Sequence, residues 1–169
     1  MKKRAAFLIF FIFGITSFAS AGDNVFFELN FGVWFYPGFG GKVGWEHYWE
    51  NEKIGLIVDV SYYNNGFVDE LEGDWREQVK VSHNFGLAAG VVFNNMGFNG
   101  VLRTSEYIKL KGLWQTYSNF LPIAPVVDLG FKLDIFFAEK TAISAGLGFE
   151  MTWIVYPYWY TSLGMKFTL

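Results

Sequence analysis

The chain has 169 residues, about the length of one domain, and 52% of them are hydrophobic and 21% aromatic. Its formal net charge of −3 argues against nucleic acid as a partner, because proteins that bind phosphate backbones are usually basic. No cysteine is present, which excludes a disulfide framework and also a lipoprotein anchored through an N-terminal Cys.

The start of the chain predicts a cleaved secretory signal peptide, residues 1–21. The basic residues 2–4 precede a solid apolar run at 5–13, and a small-residue site, Ala-Ser-Ala, ends at Ala21. An uncleaved anchor helix is the alternative, but the apolar run is short for a membrane-spanning helix. We therefore expect one mature domain, residues 22–169.

Residues 25–36 alternate with a period of two, which is typical of a β-strand. Their odd positions are all apolar, and their even positions mix polar, aromatic and glycine residues. The fifth strand is the most irregular, because Thr104 and Glu106 interrupt its apolar face, and a β-bulge would fit there. The same alternation predicts seven further strands, which makes eight with the first. They lie near residues 43–50, 54–63, 79–93, 98–110, 123–137, 143–153 and 158–169.

The predicted connections alternate in length. Tight polar turns are expected after the second, fourth and sixth strands, at 50–53, 94–97 and 138–141. The other connections share the opposite side of the sheet. Two of them are long links, at 64–78 and 111–122, and two are shorter, at 37–41 and 156–158.

Residue size indicates which solvent each face of the sheet meets. The apolar faces carry mainly Phe, Leu, Val, Ile and Trp, whereas the polar faces are rich in Gly, Ala and Ser with scattered charges. Eight strands close into a barrel whose interior is only just wide enough for side chains to fill, so the large apolar groups must lie outside, in hydrocarbon. The sequence therefore predicts an all-β fold, an eight-stranded antiparallel up-and-down transmembrane β-barrel, because closure leaves no sheet edge in lipid.

Aromatic residues cluster near both ends of the predicted strands, which favours two interfacial girdles. One girdle is expected beside the longer links, from Tyr36, Tyr62, Tyr63, Tyr156, Tyr158, Trp159 and Tyr160. The other is expected beside the tight turns, from Trp49, Phe93, Phe98 and Phe137.

The chain ends in an alternating strand, TSLGMKFTL at 161–169. With the signal peptide and the alternation of tight turns and long links, this ending resembles the small eight-stranded bacterial outer membrane β-barrel families, such as OmpX, the OmpA transmembrane domain and OmpW. The resemblance covers residues 22–169. It implies a bacterial outer membrane location, with outer membrane lipid around the barrel, the tight turns in the periplasm and the long links outside the cell.

The same resemblance implies that the last strand carries an insertion signal and that the barrel assembly machinery is a partner during insertion. Ser162, Gly164, Phe167 and Leu169 match the spacing of polar, glycine and hydrophobic residues in that signal. The chain departs from the families in ending with Leu169, where Phe is the commoner last residue.

The polar faces predict a charge network inside the barrel. An unpaired ion is costly to bury, so these groups should pair into a polar plug that seals the interior, with Lys166 turned toward acids such as Glu28. The alternative is a narrow path for ions or solutes. The acidic members are Glu28, Glu46, Asp59, Asp128, Asp134 and Glu150, and the basic ones are Lys80, Arg103, Lys132 and Lys166.

The long link at 64–78 predicts an acidic external loop. Its acidic residues outnumber its one base, Arg76, so the loop could hold divalent cations or a basic extracellular ligand. It lacks the ligand spacing and glycine of a calcium-binding loop, and a merely solvated loop is the other interpretation. Its acidic residues are Asp69, Glu70, Glu72, Asp74 and Glu77.

Two histidines, His47 and His83, fall on the predicted lipid face. Lipid A deacylases are outer membrane barrels with catalytic groups on that face and a His-x-Ser run, but Phe85 stands here where their Ser would be. Ser82 points to the other face, so a nucleophile and base within mutual reach are not predicted. Imidazoles directed toward lipid headgroups are the favoured interpretation.

These observations favour a non-enzymatic integral outer membrane protein with a structural or surface-interaction role and a sealed or very narrow polar interior. One alternative, implied by the OmpW resemblance, is a conduit for small hydrophobic molecules or ions. Another is a lipid A-modifying enzyme. The sequence has no phosphate-binding glycine loop and no metal-ligand spacing, so no cofactor or metal site is predicted.

Overall fold

The computed structural model describes residues 23–33, 37–49, 53–69, 78–98, 101–115, 123–152 and 158–169. The predicted signal peptide lies outside the described residues. The strands are β1 (Asp23–Val33), β2 (Pro37–Tyr48), β3 (Ile54–Asp69), β4 (Gln78–Phe98), β5 (Leu102–Gln115), β6 (Ile123–Ala138), β7 (Thr141–Thr152) and β8 (Tyr158–Thr168).

The eight strands form a closed barrel in chain order. Each strand pairs antiparallel with its neighbours in the sequence, and β8 returns to pair with β1, from Asn24↔Thr168 to Gly32↔Tyr160. This confirms the predicted fold class. Among the described residues, no helix is long and apolar enough to cross a membrane.

The outer wall of the barrel is apolar, because the alternating side chains of each strand point to opposite sides of the wall. On β1, Phe27, Leu29 and Phe31 are exposed, whereas Phe26 and Glu28 between them are buried. The same alternation leaves large apolar side chains exposed on every strand. A continuous apolar surface of this extent is stable against lipid and not against water.

The β3–β4 hairpin is longer than the sequence predicted. β3 reaches Asp69 and β4 begins at Gln78, so much of the expected long link at 64–78 is strand. Among the described residues, the β2–β3 pairing ends at Asn65 and the β4–β5 pairing begins at Asn84. Beyond those rungs, residues 66–69 and 78–81 pair with each other and with no other part of the chain that the structure describes. We call this two-stranded extension the ribbon.

The prediction of a tight turn at 94–97 is wrong. β4 continues through these residues to Phe98, with a register shift between Asn94 and Met96 that marks a β-bulge. A bulge lets an asparagine pair and a glycine stay in a strand that would otherwise turn. The irregularity therefore lies on β4 and not in the fifth strand.

Two other predicted connections differ in the same way. β5 extends to Gln115, into the expected link at 111–122, and β2 begins at Pro37, within the expected link at 37–41. Glycines in the second case allow close backbone approach, so a glycine-rich segment is still strand. The turn at 138–141 is where the sequence placed it, with Glu139 and Lys140 at its tip.

The interior holds large aromatic rings, contrary to the expectation that only small and charged residues would fit. Tyr107 lies opposite Gly130 across β5–β6, and Tyr160 lies opposite Gly148 across β7–β8. A Cβ on either glycine would overlap the facing ring. Each ring thus occupies the space that the missing side chain leaves.

The girdles are smaller than predicted, because some aromatic residues face inward. Tyr63 and Tyr160 are buried in the interior, whereas Tyr62 and Trp159 are exposed on the outer wall. Adjacent positions of a strand alternate, so consecutive aromatics cannot share one face. Trp49 and Phe137 are exposed near the opposite end, while Tyr36 and Tyr156 lie outside the described residues and so does the side chain of Phe98.

Candidate functional site in the barrel interior

All six acidic residues predicted for the interior are buried there, with Lys132 and Lys166. Arg103 is half-buried and lies over the rings of Tyr48 and Phe136, 5.8 and 5.4 Å from the two centroids. Lys80 is on the ribbon, where β4 pairs with β3 alone, and its side chain is outside the described part of the chain.

Three further lysines point into the barrel: Lys42, Lys109 and Lys111. Lys109 shares a face with Arg103, so the fifth strand already placed it on the polar side. Lys42 and Lys111 fall where the sequence predicted a link or its border, and extending the alternation of β2 and β5 by a few residues would have found both. The described interior then carries six acidic and six basic side chains, which balance in charge.

The first interior cluster links β1, β2 and β6. The Nζ atom of Lys132 lies 2.6 Å from Glu28 and 3.2 Å from Glu46, and it sits 3.7 Å from the centre of the Phe26 ring. Lys42 lies 3.1 Å from the other carboxylate oxygen of Glu28. Lys132 thus pairs with two carboxylates, and the Glu28 carboxylate pairs with two lysines.

Lys166 extends this cluster toward the end of the barrel where the β6–β7 turn lies. Its Nζ atom lies 2.7 Å from Glu46 and also contacts Asp134, which accepts a hydrogen bond from Ser144. The expected partner, Glu28, is instead paired with Lys42 and Lys132. On the β8–β1 seam Lys166 lies opposite Phe26, and Glu28 lies two residues further along β1, opposite Gly164.

The second cluster surrounds Lys109. Its Nζ atom lies 2.6 Å from Asp59 and 2.7 Å from Asp128. The hydroxyl of Tyr160 donates to Asp128 at 2.8 Å and lies 2.6 Å from the hydroxyl of Tyr107. The Lys109 ammonium also sits 4.5 Å from the centre of the Tyr107 ring, an attractive cation–π position.

Lys42 joins the two clusters, because its Nζ atom donates to the Tyr160 hydroxyl at 3.3 Å. Followed from end to end, the contacts run from Asp134 through Lys166, Glu46, Lys132, Glu28, Lys42, Tyr160, Asp128 and Lys109 to Asp59. We call this sequence of contacts the polar chain. Acidic and basic groups alternate along it wherever ions meet.

A separate pair lies nearer the ends of the strands that the long links join. Lys111 Nζ lies 2.7 Å from Glu150, which also accepts a hydrogen bond from Tyr63 at 3.2 Å. The Tyr63 ring stacks on Tyr158 with 5.7 Å between centroids, and Tyr158 stacks on Tyr160 at 6.2 Å. Stacked rings therefore fill the space between this pair and the polar chain.

The residues of the predicted insertion signal lie on the seam where β8 meets β1. Gly164 lies opposite Glu28, so closely that a Cβ would meet the β1 backbone. Phe167 packs edge-to-face on Phe27 on the outer wall, with 6.3 Å between ring centroids. The backbone N–H of Leu169 donates to the carbonyl of Asp23 at 3.0 Å.

The acidic external loop is described only at its edge. Asp69 is the last residue of β3, and its side chain is outside the described part. Glu70, Glu72, Asp74 and Glu77 lie outside the described residues. Within the described residues, no cluster of His, Asp and Glu side chains has the grouping of a metal site.

Both histidines lie on the outer wall and have a polar partner. His47 Nδ1 is 2.5 Å from the carboxylate of Asp23, at the end of the barrel where β2 meets β3 through a short connection. His83 Nδ1 is 2.8 Å from the Tyr62 hydroxyl, toward the opposite end. The side chain of Ser82 falls outside the described part of the chain.

No protein-family model and no curated protein matches the chain. Solved structures match it in fold. The alignment with the N-terminal β-barrel domain of Pseudomonas aeruginosa OprF has a TM-score of 0.54 and 20% identity, covering 89% of this chain and 100% of that one. The outer membrane protein OprG of the same organism gives a TM-score of 0.67 and 7% identity, covering 88% and 96%.

Ail, the attachment invasion locus protein of Yersinia pestis, was solved in complex with the heparin analogue sucrose octasulfate. It gives a TM-score of 0.58 and 12% identity, covering 89% of this chain and 100% of that one. These likenesses match the predicted class of small eight-stranded outer membrane barrels. The fold and the apolar outer wall are those of a bacterial outer membrane protein.

Proposed function

We propose that this protein is a non-enzymatic integral outer membrane barrel whose interior is closed to ions and solutes and whose role is structural or one of surface interaction. The polar chain is the observation that carries the proposal. Each of its ions meets at least one ion of opposite charge within 3.2 Å or in direct contact. A passing ion would have to displace these partners.

Displacement is costly because the groups are buried. Lys109, Lys132 and Lys166 are at most 1% exposed, as are Glu46, Asp59 and Asp134. Removing one partner of a buried pair costs roughly 3–5 kcal/mol, since the other charge is left without compensation. Rings of Phe26, Tyr107 and Tyr160 occupy the space beside these charges. An eight-stranded barrel packed in this way leaves little lumen.

The ribbon supports the surface-interaction role. It continues β3 and β4 past the rungs shared with β2 and β5, on the side that the family resemblance assigns to the cell exterior. The segment that joins its strands is acidic, with Glu70, Glu72, Asp74 and Glu77 against Arg76. A basic partner suits this charge better than a sulfated sugar of the kind bound to Ail.

Planar bilayer recordings test the closed interior. We expect no discrete conductance steps from the purified wild-type protein. The double variant Tyr107→Ala with Tyr160→Ala keeps every charge but removes the two central rings, so steps should appear. The matched control, Leu110→Ala with Leu147→Ala, removes two outer-wall side chains and should stay silent. Conductance steps from the wild type would contradict the proposal and favour the conduit.

A further inference from the structure

Tyr62 and His83 form a polar pair on the outer wall, near the ends of β3 and β4 that lead into the ribbon. The Tyr62 hydroxyl lies 2.8 Å from His83 Nδ1, and the two rings stack with 6.1 Å between centroids and 17° between planes. Tyr62 is 38% exposed, and His83 is exposed as well. The hydrogen bond and the stacking together fix the orientation of the imidazole.

Apolar rings border this pair on the β4–β5 side. Tyr62 packs on Phe85 at 5.1 Å between centroids, and Phe85 packs on Trp114 at 6.3 Å. Phe85 and Trp114 are 46% and 57% exposed and face outward. The pair therefore sits at one edge of an aromatic surface that meets the membrane.

A notch lies on the β2 side of the pair. Gly41, on β2, is directly opposite Tyr62. A Cβ added to Gly41 would have two neighbouring atoms within 4 Å, the Glu28 carbonyl oxygen at 3.3 Å and a side-chain carbon of Leu29 at 3.8 Å. The space above Gly41 is thus not occupied by the Tyr62 ring. Phe39, the next outward residue of β2, is 53% exposed and bounds the notch.

Polar groups on a lipid-facing wall are costly unless they meet polar groups of the membrane. A phenol and an imidazole at a girdle place their polar atoms at headgroup depth, while their rings contact the apolar region. A phosphate accepts hydrogen bonds from both groups when the imidazole carries a proton on each nitrogen, because Nδ1 then donates to the phenol oxygen and leaves the phenol proton and Nε2–H for the phosphate. An aromatic face packs on the C–H surface of a sugar ring. Phe85 and Trp114 would contact the acyl chains beneath such a headgroup.

We propose that Tyr62, His83 and the notch at Gly41 bind the phosphorylated sugar headgroup of an outer-leaflet glycolipid, lipid A. The occupant is a lipid because this face of the barrel lies against the membrane. It is a glycolipid because the site combines two hydrogen-bonding side chains with an open aromatic face. This inference is independent of whether the interior is closed.

The chain has two histidines, which makes imidazole nitrogen NMR a direct test. The protein, labelled with ¹⁵N-histidine, is placed in phosphatidylcholine nanodiscs to which lipid A is added. Both leaflets then contain lipid A, so His47 at the other rim is an internal control. His83→Ala and His47→Ala assign the signals. We expect lipid A to shift the His83 signals and to leave those of His47 nearly unchanged.

Tyr62→Phe keeps the ring and removes the hydroxyl, so half-saturation should need about fivefold more lipid A, the effect of one lost hydrogen bond. Gly41→Leu fills the notch, with its Cβ close to the Glu28 carbonyl oxygen, and should abolish the shift, whereas Gly112→Leu, at an outward glycine with more room, should preserve it. Heat-modifiable gel mobility verifies that each variant is folded. Equal shifts at both histidines, no shift at His83, or the same shift with phosphatidylglycerol would overturn the proposal.

Discussion

Lys109 and Asp59 are 50 residues apart in the chain, yet the Nζ atom of one lies 2.6 Å from a carboxylate oxygen of the other. Both side chains are at most 1% exposed. The two strands that carry them, β5 and β3, are separated by β4, so the pair reaches over the inner face of that strand. Asp128 on β6 completes the contact from a third strand.

Replacing Lys109 with Met should destabilise the barrel by roughly 3–5 kcal/mol, because two buried carboxylates lose their shared cation. Adding Asp59→Asn and Asp128→Asn to Lys109→Met should recover much of that loss. Urea unfolding in lipid vesicles measures both effects. Lys140→Met, at the exposed β6–β7 turn, is the control and should stay within about 0.5 kcal/mol of the wild type. A tolerated Lys109→Met would show that this pair contributes little.

Gly130→Ala should destabilise the barrel by about 1–3 kcal/mol, because its Cβ would overlap the Tyr107 ring and force it from its place. Gly112→Ala is the matched control, since the nearest atom to its Cβ is on Ile123 at 3.8 Å. That change should be nearly neutral. Unfolding midpoints of the two variants give the comparison. Equal loss in both would mean that glycine is needed in these strands for its backbone and not for the facing ring.

Deleting residues 166–169 should block assembly. The deletion removes rungs that β8 makes with both β1 and β7, and with them Lys166, which pairs with Glu46 and Asp134. Open edges in lipid cost several kcal/mol for each unpaired backbone group. Outer membrane yield and heat-modifiable mobility are the measurements. A deletion of a few residues within 70–77 should assemble normally, because loop length changes stability only slightly. Equal yields would refute the closing role of β8.

Cysteine labelling should reveal the orientation of the barrel. The natural chain has no cysteine, so single substitutions report without background. A membrane-impermeant maleimide should label Glu72→Cys in intact cells and Glu139→Cys only after the outer membrane is permeabilised. The reverse pattern would place the ribbon in the periplasm. It would also remove the lipid A site from the outer leaflet.

The mature protein should begin at Gly22, because Ala19 and Ala21 have the small side chains that signal peptidase accepts. The intact mass of the protein purified from outer membranes measures the cleavage site. A mass that includes Met1 would show an uncleaved anchor. Ala21→Leu should slow processing and leave precursor in the inner membrane fraction.

The barrel could be predicted from the amino-acid pattern, because a period of two is set by strand geometry and is visible in each segment. It also determined which residues face inward along each strand, as Glu28, Glu46 and Asp128 illustrate. Strand ends were less well predicted. Polar or glycine-rich stretches such as 37–41 and 94–97 have the composition of turns, but neighbouring strands hydrogen-bond to them and hold them in the sheet.

The pairing of the interior ions could not be predicted from any single strand. Lys166 meets Glu46 and Asp134, and Lys109 meets Asp59, because barrel closure brings distant strands to a common depth. Local sequence carries the period of a strand. Pairing across the barrel depends on the tilt and stagger of the strands around it, which no single segment encodes.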